Sequence, residues 1–349
     1  MNPADLAIMD ATIERSLLLQ RLTAGEKRKA VALLEQMKKE LKARMYEDLT
    51  DFGKARVNKL LKDSTEVIDG YYKDMGKTVD VPGISAHEVE ATAQTFSPIG
   101  LEAALPTASV MKALVSDASL FGAPLADWWQ KQSDDLAFRY ANSVRQGISQ
   151  GETLQQIIIR VFGSERLGTP GIGFPAETLR RHASALVHDS IMTVAYDARM
   201  AVYKANEDIS KGYRHLSTLD GNICLACVSR SGATWDLNYK PINGTSLPYA
   251  RTPIHVNCRC LILPILKTYR ELGVDIDDPK GTRASDLGQI PSDTTFDAFL
   301  KRHDKAYQDD LLGPGRAQLW RDGKLSLADL VSQNNRPLTL NQLKGLTSF

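Results

Sequence analysis

All four cysteines of the chain fall between positions 224 and 260, as Cys224-Leu-Ala-Cys227 and His255-Val-Asn-Cys258-Arg-Cys260. Thiolates and an imidazole displace the water around a zinc ion, and a closed tetrahedron of such donors can fold a small module. A Cys-x-x-Cys knuckle brings two sulfurs together across a tight turn and lets backbone N–H groups support them. Cys258 and Cys260 are two apart, so an extended strand sends both side chains to one face and Arg259 to the other. His255 lies three residues before Cys258 and reaches the same site through a turn. Cys224, Cys227, His255, Cys258 and Cys260 are thus five candidate donors for four zinc positions. The set is four sulfurs, or three sulfurs with His255 and one cysteine in reserve; the spacing does not choose. One alternative is that the cysteines only fill a β core. Another is a disulfide pairing, relevant only outside a reducing compartment. Paired spacing favours a metal.

Rival chemistry is weakly supported. A zinc deaminase requires His-x-Glu and Pro-Cys-x-x-Cys, whereas Ile223 precedes Cys224 and no His-x-Glu occurs. His87-Glu88 is followed by Val-Glu-Ala-Thr, so a His-Glu-x-x-His metalloprotease pattern is broken. His215 and His255 flank the cysteines and leave one enzymatic alternative, a metal-dependent nuclease or other DNA-processing enzyme with one of them as general base. His182 and His188 read as surface or packing residues. The expectation is a chain with no catalytic residue.

The elements around the cluster divide into a helical part and a mixed part. Leu6, Met9, Ile13 and Leu17 recur at helical steps, and Thr23-Ala-Gly-Glu26 has the form of a capping box that starts a second helix through Leu34, Met37, Leu41 and Met45. A third helix is predicted from Phe52 to Met75, stopped by Gly76. Pro82-Gly83 marks a break before a helical tract that begins at Ser85. Trp128, Leu136, Tyr140, Val144 and Ile148 define the next helix, and Thr153 to Phe162 a shorter one. Gly163 to Phe174 holds four Gly and one Pro and reads as a loop. A long helix follows Pro175 to about Asn206, striped by Leu179, Leu186, Ile191, Val194, Ala195, Ala198 and Val202.

Short strands are then predicted at Tyr213–Leu219 and Ala233–Leu237. Arg259 to Leu266 reads as a buried strand disturbed by Pro264. Beyond Tyr269 the chain reads as acidic and irregular to Ser292, then as short helices near Phe296 to Leu312, Gly315 to Asp322 and Leu325 to Ser332. The fold class is α+β: a mainly α-helical N-terminal region, a small mixed α/β module with a Cys/His zinc knuckle, and a short helical C-terminal tail. The expected divisions are an arm at 1–80, a helical domain at 81–170, the cysteine module at 175–269 and the tail at 270–349.

With 349 residues, 43% hydrophobic and 24% charged, the chain is long enough for several cores and ordinary in composition. Its formal net charge of +1 gives no global attraction to nucleic acid or membrane, and no apolar run reaches membrane-spanning length. Locally, Arg21 to Lys62 carries 12 Lys or Arg against 6 Asp or Glu. Lys27, Arg28, Lys38, Lys39 and Lys42 are the candidate nucleic-acid or partner contacts in that stretch. A solvated helix face is the plainer reading.

The order Asp220, Cys224, Cys227, Gly232, Pro253, His255, Cys258, Arg259, Cys260 and Pro264 resembles the Mu protein F-like phage head morphogenesis domain. The helix ending Ala195-Tyr-Asp-Ala-Arg199 looks like that family's lead-in. The runs Gly313 to Leu327 and Arg336 to Leu340 are similar to tails of phage minor head proteins. The resemblance covers about the last half of the chain, from Pro175 on, and no motif extends it to the N-terminal half. It implies a minor head protein of a tailed bacteriophage. Such a protein is assembled in the host cytoplasm, resides in the virion at the capsid interior or portal vertex, and is linked to head morphogenesis, DNA packaging or delivery. The partners implied are the portal, a scaffold or the major capsid protein, with packaged DNA as a further candidate and no membrane.

Overall fold

The computed structural model describes residues 3–268, 270–271, 282–285, 287–291 and 294–346. The fold is mixed α+β with a helical N-terminus. In chain order, α1 (Pro3–Asp48), α2 (Lys54–Gly76), α3 (Val81–Gln94) and α4 (Ala108–Ser116) precede the short pair β1 (Ser119–Leu120) and β2 (Ala123–Pro124). Next come α5 (Leu125–Ser149), α6 (Leu154–Phe162), the pair β3 (Gly163–Ser164) and β4 (Thr169–Pro170), and α7 (Ala176–Ala205). Among the described residues no helix is long and apolar enough to cross a membrane.

Two compact units emerge: residues 18–84 with 113–194, and residues 1–17 with 85–112 and 195–349. The first unit is helical. Leu19, Thr23, Glu26, Ala30, Leu34, Met37, Leu41, Met45 and Leu49 are all buried and follow one another at three- and four-residue steps, an unbroken helical stripe. This corrects the expected break at Thr23. The Thr23 hydroxyl donates to the Leu19 carbonyl one turn back at 2.7 Å and Glu26 pairs with Lys29, so α1 runs straight through. On α2, Leu60, Ile68 and Tyr72 are buried, and Ser64 meets the Tyr140 hydroxyl of α5 at 3.3 Å. The buried face of α5 uses Trp129 rather than Trp128, together with Leu136, Tyr140 and Val144. Thr153 and Gln156 form a reciprocal capping box that opens α6. Pro82-Gly83 sits in the first turn of α3 instead of breaking the chain, and Asp80 accepts from the Gly83 N–H at 3.0 Å; the helix therefore starts four residues before Ser85. The apolar stripe expected on α7 is buried along its full length.

The second unit holds a four-stranded antiparallel sheet of order β7-β6-β5-β8. Its strands are β5 (Ser210–Leu216), β6 (Thr234–Asp236), β7 (Pro241–Ile242) and β8 (Leu261–Leu266). Tyr213 faces Trp235 on β6 and Pro264 on β8. Pro264 is tolerated because β8 is an edge strand. Its end is closed by Asp5 of α1, which accepts the Leu266 N–H at 2.8 Å and so covers part of an otherwise open edge. A one-turn helix α8 (Leu225–Val228) carries the first cysteine pair.

Tyr269 and the stretch 272–281 lie outside the described residues. Within the segment expected to be irregular, β9 (Thr282–Ser285) pairs with β10 (Gly288–Pro291) as a hairpin. Then come α9 (Phe296–Leu300), α10 (Lys305–Leu312), α11 (Pro314–Arg321) and α12 (Leu340–Leu346). The helix expected over Leu325 to Ser332 is only a 3₁₀ turn, Leu327–Leu330.

Candidate metal centre

The two cysteine segments, some thirty residues apart in sequence, meet where the second runs into β8. Cys224 caps the N-terminus of α8, and the Cys227 N–H donates to its carbonyl at 3.0 Å, which closes the knuckle turn. On the other segment the Cys258 N–H donates to the His255 carbonyl at 3.1 Å. Asn257 takes the left-handed conformation at φ 60°, allowing the tight reversal that carries His255 back toward the sulfurs. Arg259 points the opposite way, with Nη1 and Nη2 on the two Asp220 oxygens at 2.7 and 3.0 Å. That bidentate pair ties one segment to the loop before the other, and Asp220 also accepts the Asn222 N–H at 2.9 Å.

His255 Nε2 lies 3.0 Å from Cys224 Sγ and 3.1 Å from Cys227 Sγ, and the Cys227 and Cys258 sulfurs are 3.8 Å apart. Cys224, Cys227 and His255 form one group close enough to hold a metal ion, and Cys227, Cys258 and Cys260 form a second. Cys227 belongs to both. A zinc–sulfur bond of about 2.3 Å gives a tetrahedral sulfur–sulfur edge of about 3.8 Å, which is the Cys227–Cys258 separation. The second ring nitrogen, Nδ1, donates to the Val256 carbonyl at 2.9 Å, the arrangement that turns the Nε2 lone pair toward a metal. Hydrogen bonding from Cys227, followed by His255, brings the Cys224 thiol down to about 4. Cys258 is likewise lowered by its Cys227 and Cys260 neighbours, and hydrogen bonds to the Cys224 and Cys258 sulfurs raise His255 to about 11. Cys227 is pushed up by hydrogen bonds to Cys224, Cys258 and Cys260, and Cys260 is raised as well, so the thiolate charge sits on Cys224 and Cys258 and is balanced by a His255 proton that a metal would displace.

Three of the four sulfurs are buried, Cys227, Cys258 and Cys260. What buries them was not legible in the motif. Cys227, Cys258 and Cys260 share a core with Phe296, Phe299, Leu300, Leu312, Trp320 and Leu330. Arg230, fully buried just beyond α8, is held by Asn335 through Nε at 2.7 Å and by the Pro248 carbonyl at 2.6 Å. The tail is part of the module's interior.

No family model, curated protein or solved structure matches this chain.

The remaining candidates are placed as follows. His215 on β5 is 1% exposed and both its ring nitrogens lack a partner; burial lowers it to about 4, so it is neutral and sealed from solvent. His182 is exposed, while His188 is buried and bonded to Asp189 at 2.9 Å. Of the five basic residues on α1, Arg28, Lys39 and Lys42 are exposed and Lys27 and Lys38 are half-buried. Burial lowers Lys27 despite the nearby Asp189. Lys38 and Lys42 border a cleft of about 710 Å³ with Arg180 of α7.

Patterns that signal catalysis in other proteins are structural here. Glu88 is fully buried, with Arg15 and Arg199 on its two oxygens; its place beside Ile84 and Val89 on the buried face of α3 was the available sequence signal. Gly147-Ile-Ser149-Gln-Gly151 has the spacing of a nucleophile elbow. Ser149, however, ends α5 and donates to the Gln146 carbonyl at 2.9 Å, without the strand–turn–helix such an elbow needs.

Proposed function

We propose that this chain is a structural and interaction protein of a tailed-bacteriophage head, a minor head protein with a zinc ion as a permanent part of its fold. The observation that carries the reading is the meeting of two donor groups, Cys224, Cys227 and His255 in one and Cys227, Cys258 and Cys260 in the other, in the order that resembles the Mu F-like domain. In this reading the zinc takes four of the five donors Cys224, Cys227, His255, Cys258 and Cys260, with Cys227 common to both groups. Four protein donors leave no position for substrate water, as in structural rather than catalytic zinc sites. His215, the other candidate base, is enclosed by protein. The partners in this reading are the portal, scaffold or major capsid protein. The exposed cations Arg28, Lys39 and Lys42 are the candidate contacts to packaged DNA or to one of those proteins.

The test is mass spectrometry and cryo-electron microscopy of purified virions produced with and without the gene. The protein is expected in a few copies per particle, at the portal vertex or inside the capsid. Normal particles that lack the chain entirely would refute the assignment. Separately, plasmid cleavage with added divalent ions that His255→Ala abolishes, while the fold persists, would favour a nuclease.

A further inference from the structure

Cys224 is the sulfur of the metal centre that solvent reaches. It is half-buried, whereas Cys227, Cys258 and Cys260 are 2%, 1% and 2% exposed. His255 beside it is half-buried too, and Val256 and Asn257, which follow, are exposed. A small solute in water therefore meets the cluster from the Cys224 side.

The chain fixes which sulfur faces Cys224. The Cys227 and Val228 N–H groups both donate to the Cys224 carbonyl, at 3.0 and 2.9 Å. A turn closed in this way holds its first and fourth α-carbons within about 7 Å of each other, which is about the reach of a disulfide. The donor atoms of Cys224, Cys227 and His255 all lie within 4.8 Å of one another, while Cys258 and Cys260 group with Cys227 instead. Cys227 is thus the partner that an oxidised Cys224 meets first.

We propose that Cys224 and Cys227 are a modification site, oxidised together by a peroxide to a disulfide, and that this bond expels the metal. The exchange rests on the zinc reading above. A metal-ligating cysteine is a thiolate, and the thiolate is also the nucleophile. Cys224 Sγ attacks one oxygen of hydrogen peroxide; an S–O bond forms, the O–O bond breaks, and the departing oxygen takes a proton and leaves as water. Cys227 Sγ then attacks the sulfenic sulfur; the S–S bond forms, the S–O bond breaks, and with one more proton a second water leaves. The two thiolates give up two electrons, and the peroxide takes them. A disulfide sulfur is no longer a thiolate donor, so the ion loses Cys227, the residue common to both donor groups. A reducing cytosol keeps the metal form, oxidising surroundings favour the disulfide, and a thiol reductant reverses the change.

The test takes the full chain, purified under reducing conditions and then freed of reductant, with its zinc measured first. Hydrogen peroxide is added, zinc release is followed with a chromophoric chelator, and unreduced peptides are mapped by mass spectrometry. One Cys224–Cys227 disulfide should form for each zinc released, and dithiothreitol with added zinc should restore the starting state. Cys224→Ser removes the sulfur that solvent reaches, so its remaining thiols should be lost at least about tenfold more slowly than those of wild type. Bound zinc with no Cys224–Cys227 bond overturns the proposal and leaves the zinc reading standing. So do a bond that joins other cysteines, zinc retained once the bond has formed, or equal rates in Cys224→Ser and wild type. A protein that neither holds nor takes up zinc overturns the zinc reading and the exchange together.

Discussion

Cys227 is the donor on which the metal centre turns, because it belongs to both groups of converging ligands. Replacing it with alanine removes one corner of the tetrahedron and leaves Cys224 and His255 on one side and Cys258 and Cys260 on the other. Structural zinc sites in small peptides contribute roughly 10–16 kcal/mol of apparent binding energy at pH 7. A quarter of that, about 2.5–4 kcal/mol, corresponds to a loss of roughly two to three decades in affinity. The 3.8 Å edge to Cys258 matches that of two thiolates on one tetrahedral zinc, so a full quarter share is expected of Cys227. Cys260→Ala should differ sharply: if Cys260 stands outside the tetrahedron, affinity should fall by less than about tenfold. The assay is competition for zinc against a chromophoric chelator, paired with cobalt substitution. Wild type should show the intense visible bands of tetrahedral cobalt with thiolate charge transfer, and Cys260→Ala should retain them. A Cys227→Ala protein that binds metal as tightly as wild type, or a wild type purified without stoichiometric metal and unable to take it up, would refute the reasoning.

Glu88→Gln should destabilise the protein by about 3–5 kcal/mol in urea titrations, since it leaves the buried Arg199 and the mostly buried Arg15 without their counter-charge. Phe299→Ala, which opens the core shared with Cys227 and Cys258, should cost about 3–5 kcal/mol. It should also speed zinc loss to a chelator, and an unchanged release rate would separate tail from knuckle. His215 is buried neutral with its value lowered to about 4, so the unfolded chain binds the extra proton below about pH 6.5. Stability relative to His215→Leu should therefore fall by about 3 kcal/mol between pH 6.5 and 4. Parallel stability–pH curves for the two proteins would contradict that assignment.

Local pattern was a good guide wherever one helix face or one turn decides the outcome. The stripe of α7 follows from spacing alone, because a period of 3.6 fixes which side chains share a face, and β8 follows from an unbroken apolar run, buried at every position. The approach of the two cysteine segments, as two donor groups that share Cys227, was likewise readable, since paired cysteines at knuckle spacing have few other uses. Thr23-Ala-Gly-Glu26 misled for the same physical reason. A capping box is local, but Thr23 and Glu26 also occupy consecutive places in a buried stripe, and continuous packing outweighs one terminus.

The amino-acid order thus determined the helical N-terminus, the core strands beside the cysteine segments and a set of five candidate donors, without choosing among them. Only tertiary structure decided what encloses them. Phe296, Phe299 and Trp320 share a core with sulfurs far away in sequence, Glu88 meets two arginines across long separations, and Gly76 lets Trp129 lie close against the end of α2. Contacts of this kind carry no periodic signature, because burial depends on which surfaces meet after the chain has folded, and spacing along the chain records only the surfaces each element has to offer.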